Sequence, residues 1–95
     1  PITTISTVVN VGEFADGLAY DDESGAIYVG NDGGTPEHFV ILNAANLSAP
    51  GVNIPVTGSR IVSIAVDRDH DLLYICCYGN DRVEVYDIAA DAFNP

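Results

Sequence analysis

Residues 18–29 read Leu18-Ala19-Tyr20-Asp21-Asp22-Glu23-Ser24-Gly25-Ala26-Ile27-Tyr28-Val29, and 46 positions later residues 64–75 read Ile64-Ala65-Val66-Asp67-Arg68-Asp69-His70-Asp71-Leu72-Leu73-Tyr74-Ile75. Each stretch is a short apolar run closed by Asp, a polar four-residue interruption, and a second apolar run around a Tyr. Two β-prone runs separated by a few polar residues form a hairpin. The same shift pairs Gly12 with Gly58, and after a two-residue excess in the first copy Phe39-Val40-Ile41-Leu42-Asn43 pairs with Val83-Glu84-Val85-Tyr86-Asp87. A period of roughly 44 to 46 residues makes this a repeat architecture, and a repeat governs every other assignment.

Working outward from the two hairpins, eight short β-branched and aromatic runs lie between turn residues, at 3–11, 18–21, 26–30, 38–43, 52–56, 61–67, 72–77 and 82–88. Gly, Pro, Asn and Asp fill the intervening turns at 22–25, 31–36, 49–51, 68–71 and 79–81. No stretch of ten carries helical periodicity; 44–48 and 89–92 have room for one helical turn each. Asp21 and Asp67 close their strands where a hairpin begins, and an Asp side chain there accepts turn amides without needing a ligand. Leu18 to Tyr20 and Ile64 to Val66 are apolar without alternation, which predicts strands covered on both faces.

Four short strands in each repeat of this length is the unit of a β-propeller blade. Tyr28-Val29-Gly30-Asn31 resembles the signature of the YVTN propeller repeat, and Tyr74-Ile75-Cys76-Cys77 is its weaker echo. Residues 74–87 are similar to the NHL-type blade motif, and residues 39–50 resemble the LVIVD repeats of extracellular propellers. The expected fold is therefore all-β: two four-stranded antiparallel blades in a single unit spanning 1–95. The first copy covers about 12–57 and the second about 58–95, with strand 3–11 completing a blade.

Propellers close a ring of four to eight blades, so two blades leave two open faces, expected around Leu18, Ile27, Ile64 and Leu73. Residues 3–11 align with 52–56 as an outer, fourth strand, whereas nothing after Ile88 reads as one, so the second blade is expected to lack its edge. Strand addition from another copy would satisfy such an edge. A head-to-tail contact of that kind yields a ring or a filament. Completion by self-assembly or by a longer parent chain are the two expectations.

The charge is lopsided: fourteen acidic residues stand against three Arg and no Lys, a formal net charge of −11. Phosphate backbones are bound by clustered cations, so nucleic acid is excluded as an expected partner, and an anionic membrane surface is disfavoured in the same way. The longest apolar runs fall far short of the ~20 residues of a membrane-spanning helix, so no membrane insertion is expected. The chain starts at Pro1 without a basic-then-apolar leader and reads as mature or partial.

The chemistry-bearing residues are few. Asp67, Asp69 and Asp71 alternate as at the start of a calcium loop, yet such a loop wants Gly at its sixth and Glu at its twelfth position, where Leu72 and Tyr78 stand. An ordinary acidic turn is the competing reading. Asp16, Asn31, Asp32, Arg60 and Asn80 are placed on blade-connecting loops, where they would line a channel or groove or simply face solvent. Asn46-Leu47-Ser48 is an N-glycosylation sequon. Cys76 and Cys77, adjacent and outside any zinc spacing, are expected as two small buried thiols. His38 and His70 lack a nucleophile partner, so no catalytic residue and no cofactor are assigned; calcium is the one ion the acidic turns suggest.

Three functions follow. The first is a secreted or cell-surface structural or interaction module whose partners are copies of itself. The second is a piece of a larger propeller enzyme, of the lactonase-like kind the YVTN resemblance implies. The third is a carbohydrate-binding oligomer, weakened by the absence of Trp. None is dictated by the fold, because one fold hosts many activities.

Overall fold

The computed structural model describes residues 9–12, 15–32, 37–58 and 60–93. Their strands form two four-stranded antiparallel sheets. Sheet A runs β1 (Ala15–Asp21), β2 (Ala26–Asn31), β3 (His38–Asn43), β4 (Val52–Pro55) in that spatial order, and sheet B repeats it with β5 (Ile61–Asp67), β6 (Leu72–Cys77), β7 (Arg82–Asp87) and β8 (Ala92–Phe93). A one-turn 3₁₀ helix, Tyr78–Asn80, lies between β6 and β7.

The turn chemistry explains the strand ends. Asp21 accepts the Glu23 amide at 3.0 Å, Asn43 the Ala45 amide at 2.9 Å, Asp67 the His70 amide at 3.3 Å and Asp87 the Ala90 amide at 3.0 Å. A side-chain acceptor therefore stops β1, β3, β5 and β7 at corresponding places. The two equivalent hairpins close on left-handed residues, Gly25 at φ 79° and Asp71 at φ 57°. Asp is among the few non-glycine residues that enter that region readily.

Two expectations are corrected here. The second sheet does have a fourth strand: β8 pairs Phe93 with Tyr86 and Ala92 with Asp87, so the edge of β7 is covered over that length. β1 starts at Ala15 rather than Leu18, because a register irregularity between Ala15 and Leu18 absorbs Asp16 and Gly17; β5 has the matching irregularity between Ile61 and Ser63. Within the 3–11 run, residues 3–8 lie outside the described residues, and 9–11 belong to no strand.

Side chains alternate across each strand, which gives each sheet an inward and an outward face. The inward faces meet in one cluster, with Tyr28 and Phe39 from sheet A against Ile64, Leu73, Ile75 and Tyr86 from sheet B. Phe39 is fully buried, edge-on to Tyr86 at 5.3 Å and to Phe93 at 6.4 Å. Such aromatic pairs add ~0.5–1.5 kcal/mol beyond the area they bury. The sheets come closest where β1, with β2 behind it, meets β5. A Cβ on Gly30 would stand 2.5 Å from the Ile61 methyl Cγ2, and one on Gly17 3.0 Å from the Ser63 Cα. Glycine at these positions is what lets the sheets approach so nearly.

The connection from β4 to β5 crosses sheet B and is tied there. Buried Glu84 accepts the Thr57 hydroxyl at 2.9 Å and pairs with Arg82 at 2.9 Å. Truncating Arg82 would leave that carboxylate buried and uncompensated, which is the costly way to break an ion pair.

The outward faces differ from the double coverage expected of β1 and β5, for Ala65 of β5 is exposed as well. Leu18 is 64% and Tyr20 54% exposed, whereas Ile64 is 7% and Leu73 is 0%. The open apolar surface expected around all four residues therefore lies around Leu18 and half-buried Ile27 only on that side. Ile64 and Leu73 are spent on the contact between sheets.

Candidate functional site

The two hairpin tips stand side by side, joined by Arg68 reaching from sheet B to the Asp22 carboxylate. Between them lies a shallow cleft of about 480 Å³ lined by Asp21, Glu23, Ser24, Arg68 and Asp71. Of its carboxylates, Asp21 is already engaged. Asp21 accepts the Ser24 hydroxyl at 2.9 Å in addition to the Glu23 amide. Burial would raise its carboxyl, but the Ser24 hydroxyl, the Glu23 and Ser24 amides and the Arg68 charge together hold it below the usual carboxylate value.

Asp67 is the counterpart in the second tip. One of its oxygens accepts the Tyr74 hydroxyl at 2.7 Å and meets the His70 Nδ1 at 2.9 Å. The Tyr74 hydroxyl above all, helped by the His70 ring and amide, keeps Asp67 below the ordinary carboxylate value against a small opposing effect of burial. The same bond pushes the Tyr74 phenol up. Of the three alternating aspartates, Asp67 thus faces Tyr74 and His70, Asp71 lines the cleft, and Asp69 is exposed. Among the described residues no three His, Cys, Asp or Glu side chains converge as ligands of one metal.

The opposite end of the sheets gathers part of the loop set. Arg60 bridges the sheets: its Nε lies 3.5 Å from Asp32 Oδ1, and its guanidinium sits 5.2 Å from the centre of the Tyr78 ring. Asp16 is an exposed β1 residue, and Asn80 ends the 3₁₀ helix. Asn31 is fully buried, its amide donating to the Val11 carbonyl at 3.0 Å, so it fastens the 9–12 segment to sheet A.

Asn46 occupies an exposed turn, where the Ser48 hydroxyl donates to its side-chain oxygen at 2.8 Å. The cysteines are both free, but only Cys77 is buried; Cys76 is exposed. The expectation of two buried thiols fails because neighbours in a strand point to opposite faces, and only one face of β6 meets sheet A. Burial, with Glu84 nearby, pushes the Cys77 thiol up.

The two outward faces are covered only in part. On sheet A they present Leu18 and Tyr20, with Val9 and Val11 packed beside them against Val29, Val40 and Leu42. On sheet B they present Val83, 59% exposed, together with Cys76 and half-buried Leu72, Tyr74 and Val85. The lack of alternation along the sequence marks both faces of these strands as apolar, but cannot say which face the partner sheet takes. The Arg60–Tyr78 and Arg68–Asp22 contacts left no sequence signal beyond opposite charge or ring chemistry at distant positions. No helix among the described residues is long and apolar enough to cross a membrane. Comparison with protein families, with curated proteins and with solved structures finds no match.

Proposed function

We propose that this chain is a structural or interaction module of propeller-type blades, working outside the cell, that assembles head-to-tail with copies of itself into a ring or filament. The observation that carries the reading is the pair of apolar faces at opposite sides of the molecule, exposed at Leu18 and Tyr20 on one and at Val83 on the other. Isolated exposed apolar residues are ordinary, whereas a sheet face carrying several in a row marks an interaction surface. The hairpin carboxylates Asp21 and Asp67 favour the same reading, since both accept amides of their own turns and serve to pin those turns.

A net charge of −11 per chain opposes association by self-repulsion, so assembly strengthens as salt screens it. Native mass measurement across a dilution series, at low and at moderate salt, tests the reading. Masses at multiples of 10.0 kDa that grow with concentration and with salt are expected. A single 10.0 kDa species throughout would overturn it.

A further inference from the structure

We infer that the chain docks on a second copy of itself in the register in which its own two sheets meet, the outward face of sheet B of one copy seating on the outward face of sheet A of the next. This rests on the assembly reading above and assigns its surface and register.

The repeat makes the assignment. The inward face of sheet A is built from Ala19, Ala26, Tyr28, Gly30, Phe39 and Ile41. Shifted by 46 residues, or 44 beyond the excess, these become Ala65, Leu72, Tyr74, Cys76, Val83 and Val85, the outward face of sheet B. The inward face of sheet B is built from Ile64, Val66, Leu73, Ile75, Cys77 and Tyr86. Shifted back, it becomes Leu18, Tyr20, Ile27, Val29, Asn31 and Leu42, the outward face of sheet A, of which Leu18, Tyr20 and Ile27 are open in the single chain while Val29, Asn31 and Leu42 are already buried beside the 9–12 segment. The two outward faces are thus the two halves of the contact already made inside the chain.

Four details fit that register. The 9–12 segment already lies where 55–58 lies in the internal contact: Gly12 approaches the Asn31 side chain as Gly58 approaches its counterpart Cys77. Phe39 fills a niche formed by Val56, Tyr86 and Phe93. The counterpart of that niche on sheet A is a groove of about 560 Å³ whose lining includes Asn10, Leu42 and Gly51, the last next to Leu42 in register as Phe93 is to Tyr86, and the counterpart of Phe39 is exposed Val83.

Size complements as well. Internally Gly30 makes room for Ile61; between copies the corresponding pair is Cys76 and Ala15, with the bulk moved to the other partner. Charge does the same. Arg68 meets Asp22 inside the chain, and the repeat brings Arg68 of one copy to Asp22 of the next, opposite charges again rather than like ones.

Two variants that block one face each provide the test. Leu18→Asp spoils the sheet A face and Val83→Asp the sheet B face, both at exposed positions where folding survives the change. Alone, each is expected to stay at the mass of one chain; mixed in equal amounts, they are expected to give a species of twice that mass through the one intact pair of faces. Assembly of the wild type that persists in either single variant, or a mixture that stays monomeric, overturns the docking register while leaving self-assembly standing; a monomeric wild type overturns both.

A cross-link reads the register directly. A Cβ on residue 30 would lie 3.3 Å from the Ile61 Cβ, close to the Cβ separation of about 3.5–4.5 Å that a disulfide spans. An Ala15→Cys, Cys76→Ser variant mixed with wild type under oxidised glutathione is expected to form mainly the disulfide between residue 15 and Cys76. Dominance of symmetric 15–15 or 76–76 links overturns the assignment.

Discussion

Gly30→Ala probes the closest approach between the two sheets. The added methyl would meet Ile61 Cγ2 at 2.5 Å and the Asp16 carbonyl oxygen at 2.6 Å. Ile61 is fully buried and β-branched, so it has little rotamer freedom with which to withdraw. The Asp16 oxygen belongs to the backbone of β1, so relief there requires moving a strand. Overpacking of this kind costs about 1–3 kcal/mol. Loss of glycine's freedom in the unfolded chain returns about 0.4–1 kcal/mol. The expected net destabilisation is about 1–2 kcal/mol, read as a lower urea midpoint with unchanged slope, at one low chain concentration so that association does not contribute.

Ile61→Ala alone is expected to cost about 2–5 kcal/mol. Combined with Gly30→Ala it should cost less than the sum by about 1 kcal/mol, because each change relieves part of the other. Gly25→Ala is the control: nothing lies within 4 Å of the new methyl and φ is 79°, so its cost is one of backbone conformation and adds to that of Ile61→Ala. A Gly30→Ala midpoint within experimental error of wild type, or strict additivity with Ile61→Ala, would refute the sheet contact.

Tyr28→Ala should cost about 3–5 kcal/mol, as truncation of a buried aromatic does, because Tyr28 is 2% exposed between the sheets. Its repeat counterpart Tyr74 lies on the outward face, so Tyr74→Ala should cost markedly less in the dilute chain; equal losses in paired urea melts would contradict the assigned faces. Asp67 titrates below its unfolded value of about 4. Its contribution is therefore present above pH ~4 and lost as pH falls through the folded value. Asp67→Asn should narrow the gap between urea midpoints at pH 7 and pH 3, and an unchanged gap would show that Tyr74 and His70 do not hold the ionised form.

Much of the fold is legible in the sequence, and the reasons are local. β3 and β5 end where their apolar runs meet Asn43 and Asp67, because a side-chain acceptor stops each strand at a fixed place. β8 is invisible for the opposite reason. Two residues carry no period, and Ala92–Phe93 becomes a strand only because Tyr86 and Asp87 offer their free edge. Asp16 reads as a loop residue and becomes part of a strand through an irregularity that pairing with β2 tolerates.

The surfaces were less legible than the strands. Leu18 and Ile64 are interchangeable as sequence, yet one is 64% and the other 7% exposed. What separates them is which side of each sheet the other sheet occupies, a long-range choice that strand periodicity does not encode. Asn31 is a similar case. As a polar residue before a turn it reads as loop surface, but the 9–12 segment folds over it and it ends fully buried on the Val11 carbonyl.

Thiol labelling of Cys76 as a function of chain concentration tests most directly that the outward faces cover one another. Cys76 is exposed on the sheet B face of the single chain and Cys77 is buried, so one residue reports the face and its neighbour reports folding. In dilute solution Cys76 is predicted to react with a maleimide at the rate of a free thiol while Cys77 stays unmodified, and at concentrations where the mass has risen Cys76 is predicted to become protected in proportion. Unchanged Cys76 reactivity in an assembled sample would contradict the account, because it would mean that copies associate and leave this face bare.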